Sequence, residues 1–213
     1  MKRETGNVKL VVGLGNPGIE YAFTPHNVGF LAIDRIAQQY GARIANRHCR
    51  ALTGKATIAG HEVLLAKPET FMNLSGLAVR ELVEEYQADP AKDLMVLYDE
   101  LALPLGMIRV RPRGSSAGHN GAQSIIGALG TEEFARVRMG VQLEGNNERR
   151  GADYLLSQIK RAQYETFDGM LDDCAQAVEV ILSEGVTVAM NRFNRRATPE
   201  EEDEQGSAAG SKD

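Results

Sequence analysis

The sequence predicts an α/β fold, a single domain whose mixed, twisted β-sheet is flanked by helices. Three observations lead there. The short apolar runs 8–12 and 94–98 have the length and β-branched content of buried strands. Stretches between them repeat apolar residues at helical spacing, as in 28–37 and 161–184. Strands and helices alternate without an internal repeat or an interdomain linker. One domain over residues 1–196 follows, and then a tail over 197–213. The tail is acidic and then rich in Gly, Ser and Ala, which reads as disordered.

Taken in order, run 8–12 ends in Gly13-Leu14-Gly15-Asn16-Pro17-Gly18, whose glycines stop the strand and expose Asn16 on a backbone turn. A helix over 28–37 follows, with Asn27 as its N-cap and Gly41 as its stop. Segments 49–57 and 62–66 alternate across an Ala59-Gly60 turn and predict a hairpin. Residues 67–73 read as a loop, and 75–85 as a helix with Leu77, Leu82 and Val83 on one face. Asp89-Pro90 breaks that helix, and strand 94–98 runs into Asp99-Glu100. Segment 107–111 alternates, placing Arg109 and Arg111 on one face. A glycine-rich loop over 114–121 opens a helix over 122–129, and 137–143 is another strand. A long amphipathic helix over 161–184 and a short one ending near Phe193 complete the domain.

Composition bounds the function. Hydrophobic residues make up 43% of the chain, enough for a substantial core. Cys49 and Cys174 stand far apart with no CxxC or Cys/His pairing, which argues against a disulfide framework or a zinc site. No apolar run approaches the roughly 20 residues of a membrane span, and Met1-Lys2-Arg3 is followed by Glu4 and Asn7 rather than a leader's apolar core. A cytoplasmic protein is expected. The net charge is −5, but residues 200–213 carry six acids and one base and supply all of it. The remaining body is formally neutral, so local clustering decides whether RNA is a partner.

Gly13, Gly15 and Gly18 satisfy G-x-G-x-x-G, yet Pro25 keeps the next helix from starting before about His26. No strand ends in an acid at the required distance, so a dinucleotide site is not supported. His26 and Asp99 each follow a strand or loop at the edge where α/β sheets keep their ligands. A carboxylate accepting from one imidazole nitrogen makes the other a competent general base. Asn16, Asn73 and Asn120 lie in three glycine-flanked loops. Loop asparagines commonly serve turns and caps, but neutral amides also suit recognition of peptide backbone. Ser115 and Ser116 lack the G-x-S-x-G elbow, which favours water as the nucleophile. Arg109, Arg111, Arg113, Arg136 and Arg138 form a basic set on two strands, either a solvated face or a phosphate clamp.

The ordered motifs G-L-G-N-P-G, Y-x-x-T-x-H-N-V-G-F, K-P-x-T-F-M-N-x-S-G, Y-D-E-L-x-L-P-x-G and G-H-N-G together resemble bacterial-type peptidyl-tRNA hydrolase over about residues 8–193. The resemblance implies hydrolysis of the ester joining a peptide to the 3′ ribose of tRNA, with no metal or other cofactor. It implies His26 as catalytic base, Asp99 as its orienting group, and Asn16, Asn73 and Asn120 as positioning groups for peptide and water. Tyr21 and Met72 would line the site. Arg109, Arg111 and Arg138 would bind tRNA phosphate, and a monomer is expected. Two positions depart from the family pattern. Pro25 stands where arginine is usual, and 140–145 (Gly-Val-Gln-Leu-Glu-Gly) replaces a glycine-arginine-proline continuation. Both bear on tRNA contacts rather than on the chemistry. The competing readings are a non-catalytic RNA-binding relative, as in chloroplast splicing factors of this fold, and a different hydrolase such as an aminopeptidase or a nucleoside-cleaving enzyme, which metal dependence would favour.

Overall fold

The computed structural model describes residues 8–143 and 151–194, with only the backbone for 151 and 152. The tail expected over 197–213 and the Glu144-Gly145 part of the strand exit lie outside the described residues. The strands are β1 (Lys9–Gly13), β2 (Asn46–His48), β3 (Ala51–Ile58), β4 (His61–Pro68), β5 (Leu94–Pro104), β6 (Ile108–Arg111) and β7 (Ala135–Gln142). They form one sheet in the order β2-β3-β4-β1-β5-β7-β6. β1 runs parallel to β4 and β5, and β5 parallel to β7, while β2–β3, β3–β4 and β6–β7 are antiparallel. The helices are α1 (Val28–Gln39), α2 (Ser75–Tyr86), α3 (Pro90–Asp93), α4 (Asn120–Leu129), α5 (Gly151–Leu155), α6 (Tyr164–Glu184) and α7 (Val186–Phe193). A single α/β domain with a mixed sheet is the result. Among the described residues no helix is long and apolar enough to cross a membrane.

The alternation along β1 divides the core. Val11 packs with Ile33 and Ile36 of α1 and Phe167, Cys174 and Val178 of α6. Leu10 and Val12 pack with Val79 and Leu82 of α2 and Ala122 and Ile125 of α4. Burying each large aliphatic side chain contributes about 1.5–3 kcal/mol, so these two layers dominate stability.

Several elements differ from expectation. β2 is three exposed polar residues, which no apolar period could reveal. Cys49 does not begin the next strand. It forms, with Arg50, the two-residue turn from β2 to β3, both at positive φ (50° and 55°). Such turns normally announce themselves through Asn or Gly, and this one has neither. The buried stripe of α2 is Ser75, Ala78, Val79 and Leu82, with Leu77 and Val83 only half-buried. β5 continues past Tyr98 to Pro104, so Asp99 lies inside a strand rather than after one.

The sheet's architecture fixes the place for a ligand. Gly13 at the end of β1 is in register with Leu97, and Leu14 N–H donates to Leu97 O at 2.9 Å. Asp99 therefore stands two residues beyond the end of β1, at the carboxyl edge where helices leave toward opposite faces.

Candidate active site

The glycine pattern after β1 serves close packing. A Cβ on Gly13 would lie 2.1 Å from the carbonyl oxygen of Gly29, and one on Gly29 would lie 2.4 Å from both Leu14 N and Leu97 O. Backbone thus meets backbone where β1, β5 and the start of α1 converge, a requirement unrelated to a dinucleotide. The chain then turns through Asn16, which is buried rather than exposed, at 9% accessibility. Its backbone N–H donates to Asn27 Oδ1 and its carbonyl accepts from Asn27 Nδ2, both at 2.9 Å. Asn27 occupies the N-cap position of α1 but spends its amide on this pairing, so the cap bond expected of it is not made. Asn16 Oδ1 in turn accepts from Met72 N–H at 2.8 Å. Asn16 ties two loops together, and only its Nδ2 is left toward the cavity.

His26 follows in a single 3-10 turn, Pro25–Asn27. Pro25 fits its first position, where no N–H is needed. The ring reaches across to β5: His26 Nδ1 lies 2.9 and 3.0 Å from Asp99 Oδ1 and Oδ2. A second imidazole reaches the same carboxylate, with His119 Nε2 at 2.9 Å from Asp99 Oδ1. The other ring nitrogen of His119, Nδ1, accepts from Ala122 N–H at 3.2 Å and caps α4. This settles the tautomer by hydrogen-bond logic: Nδ1 accepts, so Nε2 carries the proton given to Asp99. His119 had no role in the sequence reading beyond its place in G-H-N-G. An imidazole beside an expected amide at a helix start was the available signal.

Burial opposes charge on both members of the central pair, and mutual attraction overcomes it. Burial works against the Asp99 carboxylate, at 2% accessibility, but the attraction and hydrogen bond from His119, and then those from His26, hold its pKa well below the usual carboxylate range. For His26, burial favours the neutral ring, yet the hydrogen bond and charge of Asp99 raise its pKa above the ordinary imidazole value. With Nδ1 committed to Asp99, Nε2 is the nitrogen free to take a proton.

These groups form one wall of a cavity of about 760 Å³, also lined by Asn16, Met72, Asn73, Glu100 and Asn120. Asn73 lies in the 3-10 turn Met72–Leu74 and Asn120 opens α4. Both are exposed, and among the described residues neither side-chain amide has a partner. The N-cap of α4 is its neighbour His119. Phe71, Leu101 and Leu156 add an apolar rim, exposed by 57%, 40% and 49%. Tyr21 stands outside the lining, and its carbonyl accepts from Thr24 Oγ1 at 2.9 Å. Ser115 and Ser116 also stand outside it, and Ser116 Oγ donates to Gln123 Oε1 at 2.7 Å.

The arginine set divides. Arg136 is 1% exposed: it donates to the carbonyls of Ser115 and Glu132, both at 3.0 Å, and stacks on Phe134 with its guanidinium 4.2 Å from the ring centre. It is core, not clamp. Arg113 pairs with Glu133. Arg109 faces Arg138 across the β6–β7 ladder, and Arg138 donates to Glu100 at 2.7 Å. Partial burial, then repulsion from Arg138 and Arg109, lowers the pKa of Arg111. Among the described residues Arg109 and Arg111 have no acidic partner.

His26, Asp99 and His119 also present three potential metal-ligand atoms within 4.8 Å of one another. Their chemistry does not fit a metal. A ligating imidazole normally donates its second N–H to an acceptor, whereas His119 Nδ1 faces the Ala122 N–H and so cannot carry a proton while Nε2 binds an ion. Hydrogen bonding accounts for the cluster.

A family model described as peptidyl-tRNA hydrolase matches residues 10–202. Peptidyl-tRNA hydrolases of Koribacter versatilis and Acidobacterium capsulatum are each 60% identical, over 91% and 88% of this chain and 96% of theirs. A crystal structure of peptidyl-tRNA hydrolase from Acinetobacter baumannii superposes with a TM-score of 0.81 at 34% identity, over 91% of this chain and 97% of that one.

Proposed function

The chain belongs to the peptidyl-tRNA hydrolase family, and we propose how its own residues carry out the cleavage of the ester between peptide and tRNA. His26 Nε2 takes a proton from water as the oxygen attacks the ester carbonyl. Asp99 holds the ring in the tautomer this requires, and the growing imidazolium is stabilised by the same carboxylate. A positioned general base contributes about 10²–10⁴-fold. His119 keeps Asp99 ionised and fixed without touching the substrate. Asn73 and Asn120 donate to peptide carbonyls, including the developing oxyanion, where one preorganised donor is worth about 10²–10³-fold. The proton taken by His26 is then given to the departing ribose 3′ oxygen, which leaves as a hydroxyl of free tRNA.

One observation carries this reading: an imidazole with one nitrogen committed to a buried carboxylate and the other facing a cavity edged by two unengaged amides. Arg109, Arg111 and Arg138 supply the phosphate contacts, supported by their shared face and by the two guanidiniums left without acids. The reading includes a cytoplasmic monomer. Both cysteines are free thiols, and burial pushes Cys174 up to about 12, which leaves it inert as a nucleophile.

Hydrolysis of an N-acetylaminoacyl-tRNA by the wild type and by His26→Ala, with unblocked aminoacyl-tRNA as control, tests the assignment. Cleavage of the blocked ester alone, lost in a folded and tRNA-binding variant, is the expected result. Turnover retained by the variant would remove His26 from the role of base.

A further inference from the structure

The end of α7 carries a feature that hydrolysis does not use. The side-chain amide of Asn194 acts as an extra rung on the free edge of the sheet. Its Oδ1 accepts from Val110 N–H at 2.7 Å, and its Nδ2 donates to Val110 O at 3.0 Å. β6 is an edge strand, paired only with β7. Both ladder groups of Val110 are thereby satisfied by one side chain, so the C-terminal segment departs from a fixed point. That point lies between Arg109 and Arg111, whose side chains share a face of β6 with the neighbouring Arg138 of β7.

The arginines at this anchor are complementary in charge to residues 200–204, which follow Arg195-Arg196 and three uncharged residues. Arg109 and Arg111 have no acidic partner among the described residues, and Arg111 already responds to the repulsion of the other two. Six positions beyond Asn194 begins Glu200-Glu201-Glu202-Asp203-Glu204, five consecutive acids in a chain whose remaining body is formally neutral. A chain spans up to about 3.3–3.6 Å per residue, so six residues reach roughly 20 Å. The arginine side chains flanking Val110 fall well inside that radius. A tether this short holds the acids at an effective concentration on the order of millimolar.

We propose that residues 200–204 dock on Arg109, Arg111 and Arg138 and act as a built-in competitor for the polyanion that these arginines bind. This rests on the reading of the three arginines as the tRNA phosphate site. The carboxylates substitute for phosphate oxygens at the guanidinium forks. They leave when a ligand with denser charge arrives, so weakly bound nucleic acid is rejected while substrate is still admitted. A tail that occupies the arginines about nine-tenths of the time raises the apparent KM about tenfold. The chemistry at His26 is untouched.

The test uses the full chain with Glu200→Gln, Glu201→Gln, Glu202→Gln, Asp203→Asn and Glu204→Gln combined. KM for N-acetylaminoacyl-tRNA is measured from low to high salt, alone and combined with Arg109→Ala and Arg111→Ala. The neutralised tail is expected to lower KM about tenfold at low salt with kcat unchanged, an advantage that fades as salt screens the contact. In the arginine-deficient background it should have no further effect. An unchanged KM overturns the proposal, and so does a fall that persists without the arginines, because the tail would then act elsewhere. The phosphate reading is judged separately: it fails if the two arginine substitutions leave KM unchanged when the tail is already neutral.

Discussion

Asn16 and Asn27 hold each other by two reciprocal hydrogen bonds of 2.9 Å, the side-chain amide of Asn27 closing on the backbone N–H and carbonyl of Asn16. This pairing fixes the turn that carries Asn16 Oδ1 to Met72 N–H, and so sets the spacing of the two loops that bracket the cavity. Asn27→Ala leaves a buried N–H and a buried carbonyl unpaired, at about 1–3 kcal/mol each. A loss of roughly 2–4 kcal/mol in denaturant unfolding is expected, with a fall in kcat as the loops lose register. Stability within about 0.5 kcal/mol of wild type would mean that solvent replaces the pair.

Loss of Asp99 and loss of His119 lead to opposite pH effects on His26. His26 acts as a base only when neutral, so kcat/KM rises with pH through its folded pKa, which is raised above the ordinary value near 6.5. Asp99→Asn removes the charge that raises it and leaves the burial that lowers it. The midpoint should move down while kcat falls about 10²–10⁴-fold. His119→Ala removes the leading attraction that holds the Asp99 pKa down. The carboxylate then binds the His26 proton more firmly, and the midpoint should move up. Loss of one charge-assisted hydrogen bond, about 1.5–3 kcal/mol, predicts a kcat reduction of about 10- to 100-fold with little change in KM. Shifts in the same direction for both variants would show that His119 does not act through Asp99.

Much of this site was legible in the sequence because the signals were local. The glycines that stop β1 placed Asn16 and His26, and the apolar run 94–98 placed Asp99 on the same edge, while the arginine alternation on β6 followed from a two-residue period. What escaped was non-local. Arg136 and Arg138 look alike in Phe134-Ala135-Arg136-Val137-Arg138, yet one is buried on Phe134 and two carbonyls while the other meets Glu100. The difference arises from what covers each position of the sheet face, which strand periodicity does not encode. Asn27 has the position of a helix cap, and only the neighbouring turn reveals that its amide is spent on Asn16. The exposed Asn46–His48 strand has no apolar pattern at all.

Gly29 makes a sharper claim than a general preference for glycine. Its added Cβ would meet backbone atoms of both Leu14 and Leu97 at 2.4 Å, and neither strand end can retreat without breaking the Leu14–Leu97 hydrogen bond. Overpacking usually costs about 1–3 kcal/mol, and contact with backbone on two sides places Gly29→Ala at the upper end. At about 2–4 °C per kcal/mol for a chain of this size, Tm should fall by roughly 6–12 °C. A variant that melts with wild type would show that α1 can shift away from the sheet at its first turn.

The buried Arg136 and the half-buried Arg109 and Arg111 separate by the kind of damage their loss causes. Arg136→Ala removes a side chain 1% exposed and leaves the carbonyls of Ser115 and Glu132 without their donor. It should cost about 3 kcal/mol or more in stability, from the cavity and the stranded acceptors together. The salt dependence of tRNA binding should not change, because no phosphate contact is lost. Arg109→Ala and Arg111→Ala should leave unfolding within about 0.5 kcal/mol of wild type, as neither has an acidic partner among the described residues. Each should weaken tRNA binding and reduce the slope of log affinity against log salt by about 0.7–0.9. The measurement is therefore paired: denaturation midpoints for all three variants, and tRNA affinity across a salt series for each. A stable Arg136 variant with a reduced salt slope would place that guanidinium on the tRNA instead of in the core, and would mean the loop over Ser115 opens to let it out.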